Sequence, residues 1–156
     1  MQVIAKKHIV FDCDGTLIDT STLKYSLYPG IKELLTALAV DSTLYVWTAR
    51  DRRSTLRIFE ELKISSFFEA ICTVDDAIPK PHISGLVDML HETKKSQICI
   101  IGDTSNDILG AKNFGVKSIG GVWNRNANAL TMTETGADFI ANTPSDCLEW
   151  LTKNIS

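Results

Sequence analysis

Short, almost wholly apolar runs recur along the chain and are separated by stretches of mixed apolar and polar residues. The runs are rich in β-branched and aromatic residues and lack polar alternation, which is typical of strands buried on both faces of a sheet. The pattern predicts strands over residues 8–12, 44–48, 70–74, 97–101, 118–122 and 138–141.

The stretches between these runs have the spacing of amphipathic helices. Within residues 31–38, isoleucine and leucine recur at the i, i+3, i+4, i+7 positions that share one helix face. A second helix is predicted to begin at Asp51 and to turn Leu56, Phe59 and Leu62 inward.

Three further helices follow in the second half of the chain. One contains the leucine and methionine positions of residues 86–90, and the next runs from about Ser105 to Gly115, a glycine suited to a left-handed helix end. The last begins with a predicted capping box in which Thr143 caps the helix and Asp146 reaches back to it.

Alternating strands and helices predict right-handed crossovers and a parallel sheet between two helix layers. The expected fold class is therefore a three-layer α/β/α sandwich with a Rossmann-like parallel sheet. The chain shows no internal repeat or flexible linker, so we expect one domain over residues 1–156. Ligands of such sheets bind beyond the carboxyl ends of the strands, and each candidate below follows a predicted strand.

Composition narrows the class of protein. A net charge of −3 gives no support for binding nucleic acid, and no apolar run reaches the ~20 residues that cross a bilayer, so no membrane contact is expected. The opening stretch MQVIAKK is too short for the apolar region of a signal peptide, and its lysines follow too closely on the apolar residues. Four cysteines without CxxC spacing suggest buried thiols, and a cytoplasmic protein is expected.

Asp12 and Asp14 stand together at the end of the first predicted strand, in the stretch DCDGT. Residues two apart in an extended chain are about 6.5 Å apart and project to the same side. A turn at Gly15 would bring both carboxyl groups over one spot, where their repulsion would raise one pKa. A divalent cation with a preference for oxygen ligands, such as Mg²⁺, removes this repulsion. The pair is therefore interpreted as half of a metal site.

The other half is predicted at the end of the fourth strand, in GDTSND. Asp103 directly follows that strand and is placed for direct coordination. Asp107 lies one helical turn further on, where it can hold a metal-bound water or orient its neighbours. The two aspartates taken alone could equally be a helix cap and a first-turn acid.

Two more strand ends carry groups that suit a phosphate. The Thr48 hydroxyl and the backbone N–H groups of Ala49 and Arg50 lie near a helix start, which is a good anion site. Lys80 stands between two prolines that stiffen the backbone around its charge. With the metal on one side and the lysine and hydroxyl on the other, the predicted cradle matches a phosphoryl group.

Within this cradle, Asp12 can act as the nucleophile and form an aspartyl phosphate. Asp14 can protonate the leaving oxygen and then deprotonate the hydrolytic water. Lys80 and Thr48 can stabilise the transferring group. Arg50 is a candidate for contact with the substrate.

These residues, in this order, resemble the haloacid dehalogenase superfamily of phosphohydrolases. Its four motifs are an aspartate pair in DxDGT, a Ser or Thr that ends the next core strand, a lysine often followed by proline, and GDxxxD. They are matched by residues 12–16, Thr48, Lys80 and residues 102–107. The stretch GDTSNDILGAKNFGVKSIGGVW is most similar to the phosphoglycolate-phosphatase-like branch. The resemblance implies a Mg²⁺ site made by Asp12, the backbone carbonyl of Asp14, and Asp103.

The chain departs from that branch in having no room for a helical cap domain. Nine residues separate Asp19 from Pro29, and 31 separate Thr48 from Lys80. An open site is therefore expected. In this superfamily, capless members often act on large substrates or borrow a neighbouring subunit of a homo-oligomer as a lid.

The predicted function is a Mg²⁺-dependent phosphatase that hydrolyses a small phosphomonoester through Asp12. Two alternatives remain open, namely a catalytically weak binding or regulatory module with this fold, and a phosphatase of a macromolecular phosphoester. A basic rim around residues 50–53 would favour a nucleic-acid substrate, but Arg52 and Arg53 are expected on a solvated helix face. The sequence assigns no role to four further residues, which are His82, Trp123, Tyr25 and Tyr28.

Overall fold

Eight strands and six helices lie along residues 5–156, the part of the chain that the computed structural model describes. The strands are β1 (Lys7–Phe11), β2 (Ile18–Asp19), β3 (Ser26–Leu27), β4 (Ser42–Trp47), β5 (Phe68–Cys72), β6 (Ile98–Gly102), β7 (Lys117–Gly121) and β8 (Phe139–Ala141). The helices are α1 (Ile31–Leu38), α2 (Arg52–Glu61), α3 (Ser84–Leu90), α4 (Ser105–Phe114), α5 (Ala129–Thr135) and α6 (Pro144–Asn154).

Six strands form one sheet in the order β5-β4-β1-β6-β7-β8, and every neighbouring pair is parallel. The six apolar runs of the sequence supply these strands, which confirms the predicted fold class. Strands β1 and β6 lie at the centre of the sheet, with Phe11 opposite Ile101. Their carboxyl ends therefore open at the same place, where the DCDGT and GDTSND stretches begin.

Helices cover both faces of the sheet. On one face, α1, α2 and α6 pack over Phe11, Val46 and Ile101. On the other face, α3 and α4 pack over Val10, Trp47 and other residues of the sheet, and α5 lies beside α4. Side chains of adjacent strand positions point into opposite layers, which explains why the strands are mostly apolar.

The predicted helix ends are confirmed at three places. Asp51 caps α2 by accepting a hydrogen bond from the backbone N–H of Ser54, and Gly115 ends α4 with φ at 82°. Thr143 and Asp146 form the capping box of α6. The prediction for Leu56 is wrong, because this side chain is 41% exposed.

The buried face of α2 is instead made by Thr55, Ile58 and Phe59. Thr55 can be buried because its hydroxyl donates to the backbone carbonyl of Asp51 at 2.7 Å. This internal hydrogen bond satisfies the buried hydroxyl.

Two segments were considered for a cap domain, between Asp19 and Pro29 and between Thr48 and Lys80. Neither of them holds a domain in the described residues. Between Asp19 and Pro29 the chain makes one small hairpin, in which β2 pairs with β3. Between Thr48 and Lys80 it makes α2, one short 3₁₀ turn and β5. The carboxyl edge of the sheet is therefore left open above Asp12. No helix among residues 5–156 is both long and apolar enough to cross a bilayer.

Candidate active site

A cavity of about 420 Å³ lies at the carboxyl end of the central strands. Asp12 follows β1, Thr48 follows β4, Asp103 follows β6, and Lys80 comes from the loop after β5. The cavity is lined by Asp12, Asp14, Thr48, Ala49, Arg50, Pro79, Lys80, Asp103, Thr104 and Asn106. All the predicted site residues except Asp107 thus line one cavity, and Asp107 lies directly behind it.

The DCDGT stretch makes a tight turn that aims its first aspartate into the cavity. The N–H of Asp12 donates to the carbonyl of Ile101, which joins the turn to the neighbouring central strand. Gly15 has φ at 84°, a left-handed conformation that glycine adopts without strain. A Cβ at this position would also collide with the carboxylate of Asp103. Glycine is therefore required both by the turn and by the close approach of Asp103.

Three carboxylates meet in the site. One oxygen each from Asp12, Asp103 and Asp107 can be chosen so that all lie within 4.8 Å of one another. The hydroxyl of Thr16 lies 3.2 Å from Oδ2 of Asp12 and 3.2 Å from Oδ1 of Asp103. A single hydroxyl proton cannot fully satisfy both acceptors, so part of the negative charge is left for another partner.

Lys80 supplies positive charge to two of these carboxylates. Its Nζ lies 2.8 Å from Oδ1 of Asp12 and 2.6 Å from Oδ1 of Asp107, and its side chain is 7% exposed. Burial alone would lower the pKa of this ammonium group, but the carboxylates of Asp107 and Asp12 outweigh burial and raise it. Lys80 is therefore a fixed cation at neutral pH.

The pKa of Asp12 is also raised, which for a carboxyl group favours the neutral form. Burial raises its pKa to about 7, and this rise is opposed by Lys80 and reinforced by Asp103. Burial and the neighbouring Asp12 likewise raise the pKa of Asp107, against the effect of Lys80. The protein alone thus holds more negative charge here than its one lysine offsets.

Asp107 is positioned by the start of α4. Its Oδ2 accepts the backbone N–H of Thr104 at 3.1 Å and the Thr104 hydroxyl at 2.9 Å, which completes a capping box. Gly102 lies against the Asp107 side chain, where a Cβ would not fit. Both oxygens of Asp107 are therefore occupied, one by the helix start and one by Lys80.

Asn124 contacts the candidate site and was not predicted from the sequence. Its amide nitrogen donates to Oδ2 of Asp103 at 2.7 Å and to the carbonyl of Gly15 at 2.9 Å. Its side-chain oxygen accepts the backbone N–H groups of Asn126 and Ala127, which fixes the amide orientation. Asn124 follows β7, so the rule that ligand groups follow strand ends could have found it.

The residues present fit a hard divalent cation. The donor set is made only of oxygen atoms, as Mg²⁺ prefers. Within the described part of the chain, the Asp103 carboxylate has no cationic partner and is held only by the Thr16 hydroxyl and the Asn124 amide. A divalent cation beside Asp12 and Asp103 would supply the missing charge.

Asp14 does not point its carboxylate at this cluster. Its Oδ1 accepts a hydrogen bond from Nε–H of Arg50 at 2.9 Å, and its Oδ2 accepts one from Nη2–H at 2.7 Å. The two residues therefore form a bidentate ion pair. The bond to Asp14 raises the pKa of the Arg50 guanidinium. Nη1 of Arg50 lies 3.2 Å from the hydroxyl of Ser54, and its guanidinium carbon lies 5.4 Å from the centre of the Tyr25 ring.

Thr48 and Ala49 form the cavity wall between Lys80 and Arg50. The N–H of Thr48 donates to the carbonyl of Cys72 and so continues the pairing of β4 with β5. The Thr48 hydroxyl accepts the backbone N–H of Arg50 at 3.1 Å, which fixes the turn into α2. The structure thus places the hydroxyl at the cavity wall, where the sequence predicted it, but the Arg50 N–H that was predicted to bind an anion is already bound to Thr48.

The remaining candidates lie around the cavity. Arg52 pairs with Asp76 at 2.7 Å and keeps 42% of its side chain exposed, so it lies on a solvated face of α2, as expected. Because Arg50 and Arg52 both pair with carboxylates, residues 50–53 do not form the free basic rim that would favour nucleic acid.

The Trp123 indole donates to the carbonyl of Thr16 and packs on the core. His82 accepts the N–H of Ser84 in the loop after Lys80.

Sequence comparison identifies the family. The family described as haloacid dehalogenase-like hydrolase matches residues 21–121, more than half of the chain. The matched range includes Thr48, Lys80, Asp103 and Asp107, whereas the DCDGT stretch lies before it.

Relatives with curated descriptions are phosphatases. A phosphoglycolate phosphatase from Vibrio parahaemolyticus is 32% identical over 128 residues, which are 79% of this chain and 55% of the relative. The pyrophosphatase PpaX from Bacillus mycoides is 29% identical over 94 residues, 58% of this chain and 43% of the relative. The chain thus spans about half the length of the curated relatives it matches.

Solved structures support the same grouping at the level of the fold. A protein described as a predicted phosphatase from Clostridium acetobutylicum superposes with a TM-score of 0.84 at 18% identity, over 96% of this chain and 100% of that protein. This likeness shows the fold. The family match over residues 21–121 leads to one conclusion: the chain belongs to the haloacid dehalogenase-like hydrolases.

Proposed function

We propose that the protein is a Mg²⁺-dependent phosphatase that hydrolyses a phosphomonoester through Asp12. One observation carries this proposal: Asp12, Asp103, Lys80 and Thr48 surround a single open cavity at the carboxyl end of the sheet. The arrangement pairs a carboxylate with cationic and hydroxyl groups that can bind phosphoryl oxygens. Membership of the hydrolase family supports the same chemistry.

The proposed reaction has two steps. In the first, a carboxylate oxygen of Asp12 forms a bond to phosphorus while the bond from phosphorus to the leaving oxygen breaks, and the leaving oxygen takes a proton from Asp14. In the second, water attacks phosphorus and gives a proton to Asp14, and the bond to Asp12 breaks. Inorganic phosphate leaves and both aspartates return to their starting states.

Lys80 and Thr48 assist by holding the transferring oxygens. A carboxylate and a phosphate oxygen that approach to ~4 Å repel by about 4 kcal/mol per pair of unit charges at an effective dielectric of 20. Lys80 offsets this cost from its fixed place beside Asp12. The hydroxyl of Thr48 adds a neutral donor on the same side.

Mg²⁺ would be held by Asp12, the backbone carbonyl of Asp14, and Asp103, with Asp107 in support. When bound, it supplies positive charge for the carboxylates and for the phosphoryl group. The Asn124 amide and the Thr16 hydroxyl keep Asp103 turned toward this position.

A small phosphorylated molecule is the proposed substrate. A cavity of about 420 Å³ matches ligands of that size. The two relatives are named for phosphoglycolate and pyrophosphate, and each compound carries a second anionic group beside its phosphoryl group. We also propose a cytoplasmic location, which is supported by four free, buried cysteines.

A second candidate is a binding or regulatory module with weak turnover. It is favoured by the ion pair between Asp14 and Arg50, because a carboxylate held in this way is not free to act as an acid. The module would bind the same phosphorylated ligand without hydrolysing it at a useful rate.

Hydrolysis of 4-nitrophenyl phosphate tests the proposal. The wild type is compared with Asp12→Asn, with Mg²⁺ and with a chelator. Asp19→Asn serves as the matched control, because this half-buried aspartate lies in the hairpin outside the catalytic cavity. We expect metal-dependent turnover that is retained in the control and falls at least about 1,000-fold in Asp12→Asn, the order of loss when a nucleophile is removed.

Two results would overturn the proposed mechanism: turnover that survives in Asp12→Asn, or turnover that the chelator does not reduce. Mass spectrometry gives an independent reading. A phosphoryl group trapped on the peptide that contains Asp12 supports the covalent step. Ligand binding without any turnover favours the binding module.

A further inference from the structure

The carboxylate of Asp14 is fully engaged by Arg50 in the resting protein. Its two oxygens accept two separate N–H groups of the guanidinium, at 2.9 and 2.7 Å. The Asp14 side chain is 42% exposed and the Arg50 side chain 17% exposed, and both residues line the catalytic cavity. The pair therefore lies where a substrate enters.

This pairing conflicts with the part that Asp14 plays in the proposed reaction. An acid must carry a proton and turn it toward the leaving oxygen. A carboxylate whose two oxygens both accept hydrogen bonds from one guanidinium is turned toward the arginine and away from a leaving oxygen. Asp14 must therefore leave Arg50 before it can work.

Arg50 is fixed in place by more than Asp14. Its backbone N–H donates to the hydroxyl of Thr48, its Nη1 reaches Ser54, and Tyr25 lies beside its guanidinium. If Asp14 departs, the guanidinium stays at the cavity wall as an unpaired and mostly buried cation. Another anion in the same position would restore its two hydrogen bonds.

We propose that Arg50 binds a second anionic group on the leaving side of the substrate and that this group displaces Asp14, which is then free to act as acid and base. The inference rests on the proposed function and extends it to a substrate class. That class is phosphomonoesters or diphosphates in which a carboxylate or a second phosphoryl group lies next to the reacting phosphoryl group.

The exchange balances charge at each stage. The second anion of the substrate accepts the Nε–H and Nη2–H bonds that Asp14 gives up. The released Asp14 takes a proton from solvent and later gives it to the leaving oxygen as the bond to phosphorus breaks. A neutral leaving group offers Arg50 nothing in return, so Asp14 stays bound to Arg50 and the reaction is slow.

The cavity favours this use of Arg50. Among the residues described, its lining includes two cationic side chains, those of Lys80 and Arg50. Lys80 is already bound to Asp12 and Asp107 beside the reacting position. Arg50 is the more exposed of the two, and its single carboxylate partner is a residue that the reaction requires elsewhere.

Two substrates of matched length test the proposal. Phosphoglycolate and ethyl phosphate each have a two-carbon leaving group, with a carboxylate in the first where the second has a methyl group. We expect wild-type kcat/KM to favour phosphoglycolate by about 10–100-fold, the range given by a hydrogen bond to a charged group.

The variant Arg50→Gln should separate the two substrates. Its kcat/KM for phosphoglycolate should fall by about the same 10–100-fold, whereas ethyl phosphate should be hydrolysed at least as fast as by the wild type because Asp14 is no longer held. Arg53→Gln is the matched control, since Arg53 is an exposed arginine in the first turn of α2, and it should change neither value. An equal fall on both substrates, or no preference in the wild type, overturns the proposal.

Binding to Asp12→Asn gives a reading that does not depend on turnover. In the presence of Mg²⁺, calorimetry should show tighter binding of phosphoglycolate than of ethyl phosphate, and Arg50→Gln in the same background should remove the difference. If this preference appears and the wild type hydrolyses neither compound, the phosphatase proposal fails and the anion site on Arg50 stands. If the wild type hydrolyses both compounds and no binding preference appears, the anion site on Arg50 fails and the phosphatase proposal stands.

Pyrophosphate distinguishes the two kinds of second anion. If Arg50→Gln reduces pyrophosphate hydrolysis more than phosphoglycolate hydrolysis, the site is assigned to a phosphoryl group. The reverse order assigns it to a carboxylate.

Discussion

The ammonium nitrogen of Lys80 lies 2.6 Å from Oδ1 of Asp107, and both side chains are almost fully shielded from solvent. The same nitrogen also holds Asp12, so the loss of Lys80 leaves two buried carboxylates without their cation. We expect Lys80→Met to lower the free energy of unfolding of the metal-free protein by about 3–5 kcal/mol, the usual cost of breaking a buried ion pair. Urea unfolding at neutral pH measures this change.

Two control variants accompany that measurement. Asp107→Asn should cost less than Lys80→Met, because Lys80 keeps its contact with Asp12. Lys112→Met replaces an exposed lysine of α4 and should change stability by no more than about 0.5 kcal/mol. Similar losses at Lys80 and Lys112 would contradict the assigned role of the buried pair.

Gly15 and Gly115 form a matched pair for testing the approach of Asp103. Their φ values are 84° and 82°, but a Cβ on Gly15 would collide with Asp103, whereas nothing lies within 4 Å of a Cβ on Gly115. Alanine at either position should cost about 1–2 kcal/mol of stability through backbone strain. Alanine at Gly15 should also abolish Mg²⁺ binding, as measured by calorimetry.

Comparable Mg²⁺ binding by the two alanine variants would show that Gly15 serves the turn alone. Loss of binding in both variants would mean that general destabilisation, rather than the contact with Asp103, weakens the metal site.

Asn124→Ala should weaken Mg²⁺ binding by about 10–100-fold, the usual effect of removing a group that orients a metal ligand. The amide that holds Oδ2 of Asp103 is lost, while the ligand itself stays in place. Asn126→Ala, two residues further along and exposed, is the control. Titration calorimetry on both variants checks the prediction, and equal affinities would remove Asn124 from the site.

The stability of the metal-free protein should fall as pH rises from about 4 to about 7 through the contribution of Asp12. Burial raises the pKa of Asp12 from its ordinary value to about 7, so in this window the folded protein keeps a proton that the unfolded chain releases. Unfolding therefore releases a proton, and higher pH favours it. At about pH 7 the stability lost through Asp12 reaches about 4 kcal/mol.

The difference in stability between wild type and Asp12→Asn isolates this contribution, because other titrating groups are common to both. The stability of the wild type relative to the variant should decrease across the window and then level off. Added Mg²⁺ should stabilise the wild type more at pH 8 than at pH 5, since the cation binds the ionised carboxylate. A difference that does not vary with pH would contradict the prediction.

Much of the site could be predicted because it depends on short stretches at strand ends. Asp12, Thr48 and Asp103 each directly follow an apolar run, and the carboxyl ends of neighbouring parallel strands meet at one edge of the sheet. The order of the strands was not needed for this inference. Lys80 was harder, because a lysine between prolines marks a stiff loop without saying where the loop points.

The parts that the sequence did not predict depend on contacts between distant stretches. The bond from Arg50 to Asp14 joins residues 36 positions apart, and no local pattern records it. The exposure of Leu56 follows from a hydrogen bond that makes Thr55 acceptable in the core. Asn124 was overlooked because a single asparagine after a strand resembles an ordinary turn residue.

The central position of β1 and β6 in the sheet has a consequence for how the protein opens. Strands at the middle of a sheet are the last to lose their amide protons to solvent, whereas edge strands and loops exchange early. Asp12 and Asp103 are attached to the middle strands, and Arg50 and Lys80 to segments nearer the edge. We therefore expect local opening to free the proposed phosphate-binding side before the proposed metal-binding side.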